Sequence, residues 1–161
     1  MRRPIDVLIY VHHPQRELDT AALLSVLLKR DHGLTAEIAS HLYDDYEVIR
    51  KLSPKVVALP WYYRPTKGFQ KMKRYFPTAT FVNLAWEQLF SKVSAGRKHV
   101  EGEIALNEMI FLAWGEEFRR FLLADGVKDE NIRIVGNPAC GLLIEPYIRK
   151  FADRASLAKQ H

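Results

Sequence analysis

The sequence has a single cysteine, Cys140, which excludes an internal disulfide framework and any zinc site built on several thiolates. No apolar run approaches the roughly 20 residues of a membrane span. The longest, Ala21–Leu28, contains Ser25 and reads as amphipathic. Met1-Arg2-Arg3 is basic, but the apolar run behind it, Ile5–Val11, gives way at once to His12-His13-Pro14, so no signal-peptide core is present. These absences predict a cytoplasmic protein. Phosphate-cradling glycines are missing as well. No Gly-x-Gly-x-x-Gly follows the first strand and there is no Walker loop, which argues against a standard NAD site or a P-loop ATPase. No serine nucleophile elbow occurs. No His-x-x-x-His or His-Glu-x-x-His is found, and adjacent His12 and His13 point opposite ways in an extended chain, so no metal is expected. There is no repeat and no low-complexity tract.

What is present suits a folded domain. A chain of 161 residues with 48% hydrophobic content is long enough for one domain with a core. Ile5–Val11 is β-branched and apolar, as a strand buried on both faces should be. A loop His12–Glu17 follows, then a helix from about Leu18 to Arg30, closed near Gly33. Ala36–Ala39 reads as a second strand, Asp44–Leu52 as a helix and Lys55–Leu59 as a third strand. Pro60–Pro65 is an aromatic loop, Gly68–Tyr75 a basic amphipathic helix, and Thr78–Asn83 a fourth strand. Ser91–Glu101 has few periodic apolar positions and reads as a loop. Ile104–Ile110 is ambiguous between helix and loop. Phe111–Ala113 is a short strand. Glu116 and Glu117 open a helix at the end where carboxylates suit the dipole, and Gly126 ends it. Ile132–Val135 is a strand broken by Gly136-Asn137-Pro138. Gly141–Ala152 reads as a final helix, with Cys140 before it as a buried small residue. Strands alternate with helices about every 20–25 residues, the pattern of an α/β fold with a Rossmann-like parallel sheet covered on both faces. Arg154–His161 is helix-like with no closing element. Residues 4–152 are therefore the expected domain, and 153–161 the start of a linker or terminal helix.

The net charge of +5 and pI of about 9.3 favour an anionic partner. Lys67, Lys71, Lys73 and Arg74 form one basic cluster; Lys92, Arg97 and Lys98 form another. Solvated surface is the plain reading. Phosphate groups, an anionic membrane surface and nucleic acid are the functional ones. Nucleic acid is the weakest, because no helix-turn-helix, RNP strand or zinc finger is present.

Ligands of open parallel sheets bind outside the carboxyl ends of the strands. The loops there carry His12, His13, Arg16, Glu17, Trp61, Tyr62, Tyr63, Arg64, Asn83, Trp86, Glu87, Trp114, Glu116 and Asn137, and with them all three tryptophans. Planar aromatics at a polar rim stack on sugar rings or meet a membrane interface. An imidazole and a carboxylate are the usual proton acceptors, so His13 and Glu17 are candidate general bases. Glu17 equally suits a helix cap with no catalytic meaning. Arg16 and Arg64 can each hold a phosphate or carboxylate through a bidentate fork.

The opening IDVLIYVHHPQRELDTAALL, with Arg16-Glu17-Leu18-Asp19 after the first strand, resembles the start of bacterial surface carbohydrate biosynthesis proteins. WGEEFRRFLLADGVKDENIRIVGNP resembles the late part of their amino-terminal half. It is also similar to the matching region of GT-B glycosyltransferases and of glycerophosphotransferases that build teichoic-acid-like polymers. This resemblance implies an amino-terminal, acceptor-side domain whose carboxyl-terminal partner domain is missing from this chain. It implies a nucleotide-activated donor, a sugar or CDP-glycerol, used by the full-length protein, with no cofactor of its own. It implies a glycan or lipid-linked acceptor, peripheral contact with the inner face of a membrane, and no reaction by this domain alone. The His12–Glu17 loop would face the interdomain cleft, with His13 or Glu17 as base and Arg16 on phosphate or acceptor. Two alternatives share this sequence pattern: half of a nucleotide-sugar 2-epimerase, and a non-catalytic α/β binding module for an anionic ligand.

Overall fold

The computed structural model describes residues 2–88, 96, 98–144 and 148. In chain order the elements are β1 (Arg3–Val11), α1 (Pro14–His32), β2 (Ala36–Ser40), α2 (Asp45–Lys51), β3 (Leu52–Leu59), α3 (Lys67–Tyr75), β4 (Thr80–Asn83), α4 (Glu103–Asn107), β5 (Ile110–Ala113), α5 (Glu116–Ala124) and β6 (Ile132–Ile134). Short 3-10 turns occupy Asp129–Asn131 and Pro138–Leu143. The six strands form one all-parallel sheet in the order β2-β1-β3-β4-β5-β6, the expected Rossmann-like α/β arrangement. Val7 of β1 lies between Ala36 of β2 and Val56 of β3. The chain leaves β1 toward one edge and returns to build the rest of the sheet on the other side. The crevice between the carboxyl ends of β1 and β3 is therefore the topological switch point, where ligands of such sheets bind.

Side chains alternate between the sheet's two faces. Leu8, Tyr10, Val57, Leu59, Phe81 and Phe111 pack in one layer with α2, α3, α4 and α5. Val7, Ile9, Val11 and Ala58 pack in the other, under α1. β1 is buried on both faces from Ile9 to Val11, which is why it reads as a continuous apolar run. α3 is held by Phe69 and Met72, both buried; removing each from water contributes about 1.5–3 kcal/mol. Among the described residues no helix is long and apolar enough to cross a membrane.

Several boundaries differ from the sequence expectation. α1 starts at Pro14 rather than near Leu18, so most of the expected His12–Glu17 loop is helix. Proline suits a first helical position, where its missing N–H is not needed. The helix closes at Gly33, whose φ of 65° lets the N–H groups of Gly33 and Leu34 turn back onto Lys29 and Leu28. β3 extends back to Leu52 and takes in Pro54 near its start. The ambiguous Ile104–Ile110 resolves into α4 and the first residue of β5. Gly141–Leu143 lie in a 3-10 turn rather than at the start of an α-helix. Apart from residues 144 and 148, the remainder of that expected helix, the 153–161 tail and most of the Ser91–Glu101 loop, with Lys92 and Arg97, lie outside the described residues. Cys140 is exposed, not buried. Its neighbour Gly141 is the residue turned toward α1, near Leu23.

Candidate functional site

At the switch point the backbone is set by two buried polar side chains. Glu17, in the first turn of α1 and 3% exposed, turns its carboxylate back along the chain. Its Oε2 accepts the backbone N–H of His12 at 2.6 Å and of His13 at 3.2 Å. This is a carboxylate at the positive end of a long helix, satisfying amides that the helix leaves without partners. Asn83, at the end of β4 and fully buried, donates through Nδ2 to the carbonyl of Tyr62 at 2.6 Å. Its Oδ1 accepts the N–H of Ala85 at 2.9 Å. The amide thus ties the loop after β3 to the loop after β4, and Ala85 takes a left-handed φ of 45° there.

Between these loops opens a cleft of about 330 Å³ lined by His12, His13, Arg16, Glu17, Pro60, Trp61, Tyr63, Trp86, Glu87 and Lys98. Trp86 is placed by its backbone N–H, which donates to the carbonyl of Pro60 at 3.1 Å. Arg16 forms an ion pair with Glu87 across the cleft. Lys98 donates to the Glu87 carbonyl at 2.6 Å, and burial lowers its ammonium pKa. Trp61, 41% exposed, meets His12 edge-on at 5.4 Å between ring centres. It stacks on Tyr62 at 6.0 Å and on His41 at 6.4 Å. His12 lies 4.2 Å from His13 and 6.0 Å from His41, ring centre to ring centre. Burial lowers the His12 pKa from its ordinary 6.5, and the charges of His13 and His41 lower it further; the Glu17 carboxylate opposes them. These effects favour the neutral imidazole form of His12. Burial pushes the Tyr63 hydroxyl up, so it stays protonated.

The cleft combines ring faces with an arginine and a lysine, whose hydrogen-bond donors suit phosphate oxygens. Among the described residues no group of three or more His, Cys, Asp or Glu side chains is arranged to hold a metal.

Eight of the residues singled out from sequence meet here: His12, His13, Arg16, Glu17, Trp61, Tyr63, Trp86 and Glu87. The other six sit elsewhere. Tyr62 is buried and Arg64 pairs with Glu101 at 3.1 Å; both line a separate apolar cavity of about 160 Å³ with Phe69 and Met109. Asn83 is the loop staple. Trp114 follows β5, where its backbone N–H donates to Gln88 Oε1 at 2.6 Å. Glu116 pairs with Arg119 at 3.2 Å on the outside of α5. Asn137 caps the Pro138–Leu143 turn by accepting the N–H of Ala139 at 3.0 Å. The sequence did not single out Lys98 as a cleft residue, nor His41 and Gln88 as supports. Lys98 had a signal, the basic cluster. His41 and Gln88 had none. All three tryptophans do follow the carboxyl ends of strands, but only Trp61 and Trp86 reach the cleft.

No protein-family model matches the chain, and no significant match was found among curated proteins or solved structures.

Proposed function

We propose that this is the acceptor-side domain of a glycosyltransferase-like enzyme of bacterial surface polysaccharide synthesis, and that the switch-point cleft binds a phosphate-bearing sugar. The observation that supports this most is the joint presence of Trp61 and Trp86 with Arg16 and Lys98 in one cleft. Indole faces pack on sugar rings, and a guanidinium fork holds phosphate. In this reading the donor, a nucleotide-activated sugar or glycerol unit, is bound with the help of a second domain. Proton acceptance falls to His12 or His13, because the Glu17 carboxylate is already occupied by two backbone amides.

The test is calorimetric titration of the purified domain with glucose 1-phosphate, UDP-glucose and free glucose. The phosphorylated ligands bind, free glucose binds at least about tenfold more weakly, and Arg16→Ala removes that difference, since a charge-assisted hydrogen bond contributes about 1.5–3 kcal/mol. Equal binding of all three ligands, or none of any, overturns the reading.

A binding module without chemistry is the second reading. It is favoured by the pairing of both cleft carboxylates, Glu17 with backbone and Glu87 with Arg16. Full-length protein carrying His12→Gln and His13→Gln separates the two. Loss of turnover with binding kept supports the transferase; absence of turnover in the unaltered protein, with binding, supports the module.

A further inference from the structure

The 39 residues between Glu47 and Glu87 include eight lysines and arginines and no acidic residue. α3 lies in the middle of that stretch and has a strict two-sided build. Phe69 and Met72 hold its inner side in the core. Lys67, Lys71 and Arg74 are all exposed and, at spacings of four and three residues, form one stripe opposite the buried pair. The stripe is about 10 Å long at 1.5 Å of rise per residue. The fourth basic side chain, Lys73, sits at the flank and is used internally, 2.8 Å from Glu108. Among the described residues no acidic side chain is in ion-pair range of Lys67, Lys71 or Arg74. At the carboxyl end of the stripe, Tyr75 is 41% exposed. Arg2 lies over its ring at 5.8 Å and donates to its backbone carbonyl at 2.9 Å, which adds a fourth cation to the surface.

We propose that the outer face of α3, with Arg2 and Tyr75, is a docking surface for an anionic lipid bilayer. Charge complementarity selects the partner's sign. The shape and the aromatic select its kind. The face is the convex side of a helix pinned flat on its sheet, and its tyrosine is amphipathic, as residues at membrane interfaces are. Single-stranded nucleic acid would need a ring face open for base stacking, and Arg2 covers the face of Tyr75. The surface is separate from the switch-point cleft and does not depend on what the cleft binds.

Flotation assays with the purified protein test this, using phosphatidylcholine vesicles with and without about one-third phosphatidylglycerol. Binding is expected only to the anionic vesicles, and weakens with salt. Each basic side chain near an anionic surface strengthens partitioning about fivefold, so Lys67→Ser/Lys71→Ser/Arg74→Ser lowers it roughly a hundredfold. The control Lys29→Ser/Arg120→Ser/Lys128→Ser removes the same charge from exposed positions elsewhere and leaves binding within about threefold. Equal binding to neutral vesicles, no binding to either, or an equal fall in the control overturns the proposal. So does tight binding of an RNA oligonucleotide that the α3 variant loses while vesicles remain unbound. Thermal melts of both variants, whose changed residues are all exposed, confirm that each is folded.

Discussion

The Glu17 carboxylate reaches back five residues along the chain to the amide of His12, 2.6 Å away, and accepts the His13 amide with the same oxygen. The contact closes the first turn of α1 onto the end of β1 and sets the floor of the cleft. Removing it leaves two donors without a partner at a partly buried corner. Glu17→Ala should lower unfolding free energy by about 1–3 kcal/mol, and Glu17→Gln, which keeps an acceptor, by less than half of that. Urea denaturation of the three proteins checks the order. An alanine variant as stable as the parent would remove the structural role and return Glu17 to the candidate bases.

Asn83 supports the opposite wall. Its amide, fully buried, satisfies a carbonyl from the β3 loop and an N–H from the β4 loop. Asn83→Ala should cost about 2–3 kcal/mol in the same assay. Asn83→Asp should cost more at neutral pH, because a carboxylate oxygen would face the Tyr62 carbonyl where an N–H donor now sits. A milder Asn83→Asp would overturn the assignment of an Nδ2 donor to the Tyr62 carbonyl.

The sheet was legible in the sequence because each strand is a short apolar run bounded by turn residues, and β1 is buried on both sides. The start of α1 was not, since His-His-Pro-Gln-Arg-Glu looks like a polar loop until Glu17 is seen to bond its own upstream amides. The rule for strand ends located the cleft but did not discriminate within its own set. Asn83 and Glu87 are equally polar and lie four residues apart. One is fully buried between loops and the other is half exposed across from Arg16. That difference is decided by the path of the chain after Asn83, including the left-handed Ala85, which no local pattern announces. His41 is similar. It follows β2, the strand beyond β1, and reaches the His12–Trp61 ring cluster only through sheet order.

Gly102 is a position where backbone and packing agree. It has a φ of 92°, and a Cβ there would stand 3.2 Å from Pro65 Cγ. Gly102→Ala should cost about 1–2 kcal/mol. Gly115, with extended φ and nothing within 4 Å of its Cβ position, should accept alanine within about 0.5 kcal/mol. Thermal unfolding of the pair tests the contrast; equal shifts would refute it.

His12 links the cleft to pH. The groups facing it are His13, His41, Arg16 and Glu17, and with burial they leave its folded pKa below the ordinary 6.5. A histidine depressed on folding binds its proton more readily when unfolded. Its contribution to stability is complete above the unfolded pKa and is lost as pH falls from 6.5 through the folded value. Stability should therefore decline as pH drops below 6.5, and His12→Gln should flatten that decline. The carboxylates act in a separate, lower window. Asp6, hydrogen-bonded to Lys55 and Thr35, has its pKa lowered from 3.8 to about 2, so its contribution is present above 3.8 and disappears toward pH 2. Denaturation midpoints across the pH range separate the two windows, and an unchanged slope in His12→Gln would exclude His12 as the source of the upper one.

Glu87 holds Arg16 across the cleft, so an incoming phosphate must compete with it. Both side chains are more than half exposed, which limits such a pair to about 0.2–1 kcal/mol. Glu87→Gln should then raise the affinity for glucose 1-phosphate, by no more than about fivefold. The gain should vanish in an Arg16→Ala background, because the competition exists only through that guanidinium, and the double-mutant cycle isolates it. Weaker binding by Glu87→Gln would mean instead that the carboxylate accepts hydrogen bonds from ligand hydroxyls. The cycle distinguishes this as well, since that loss would persist without Arg16.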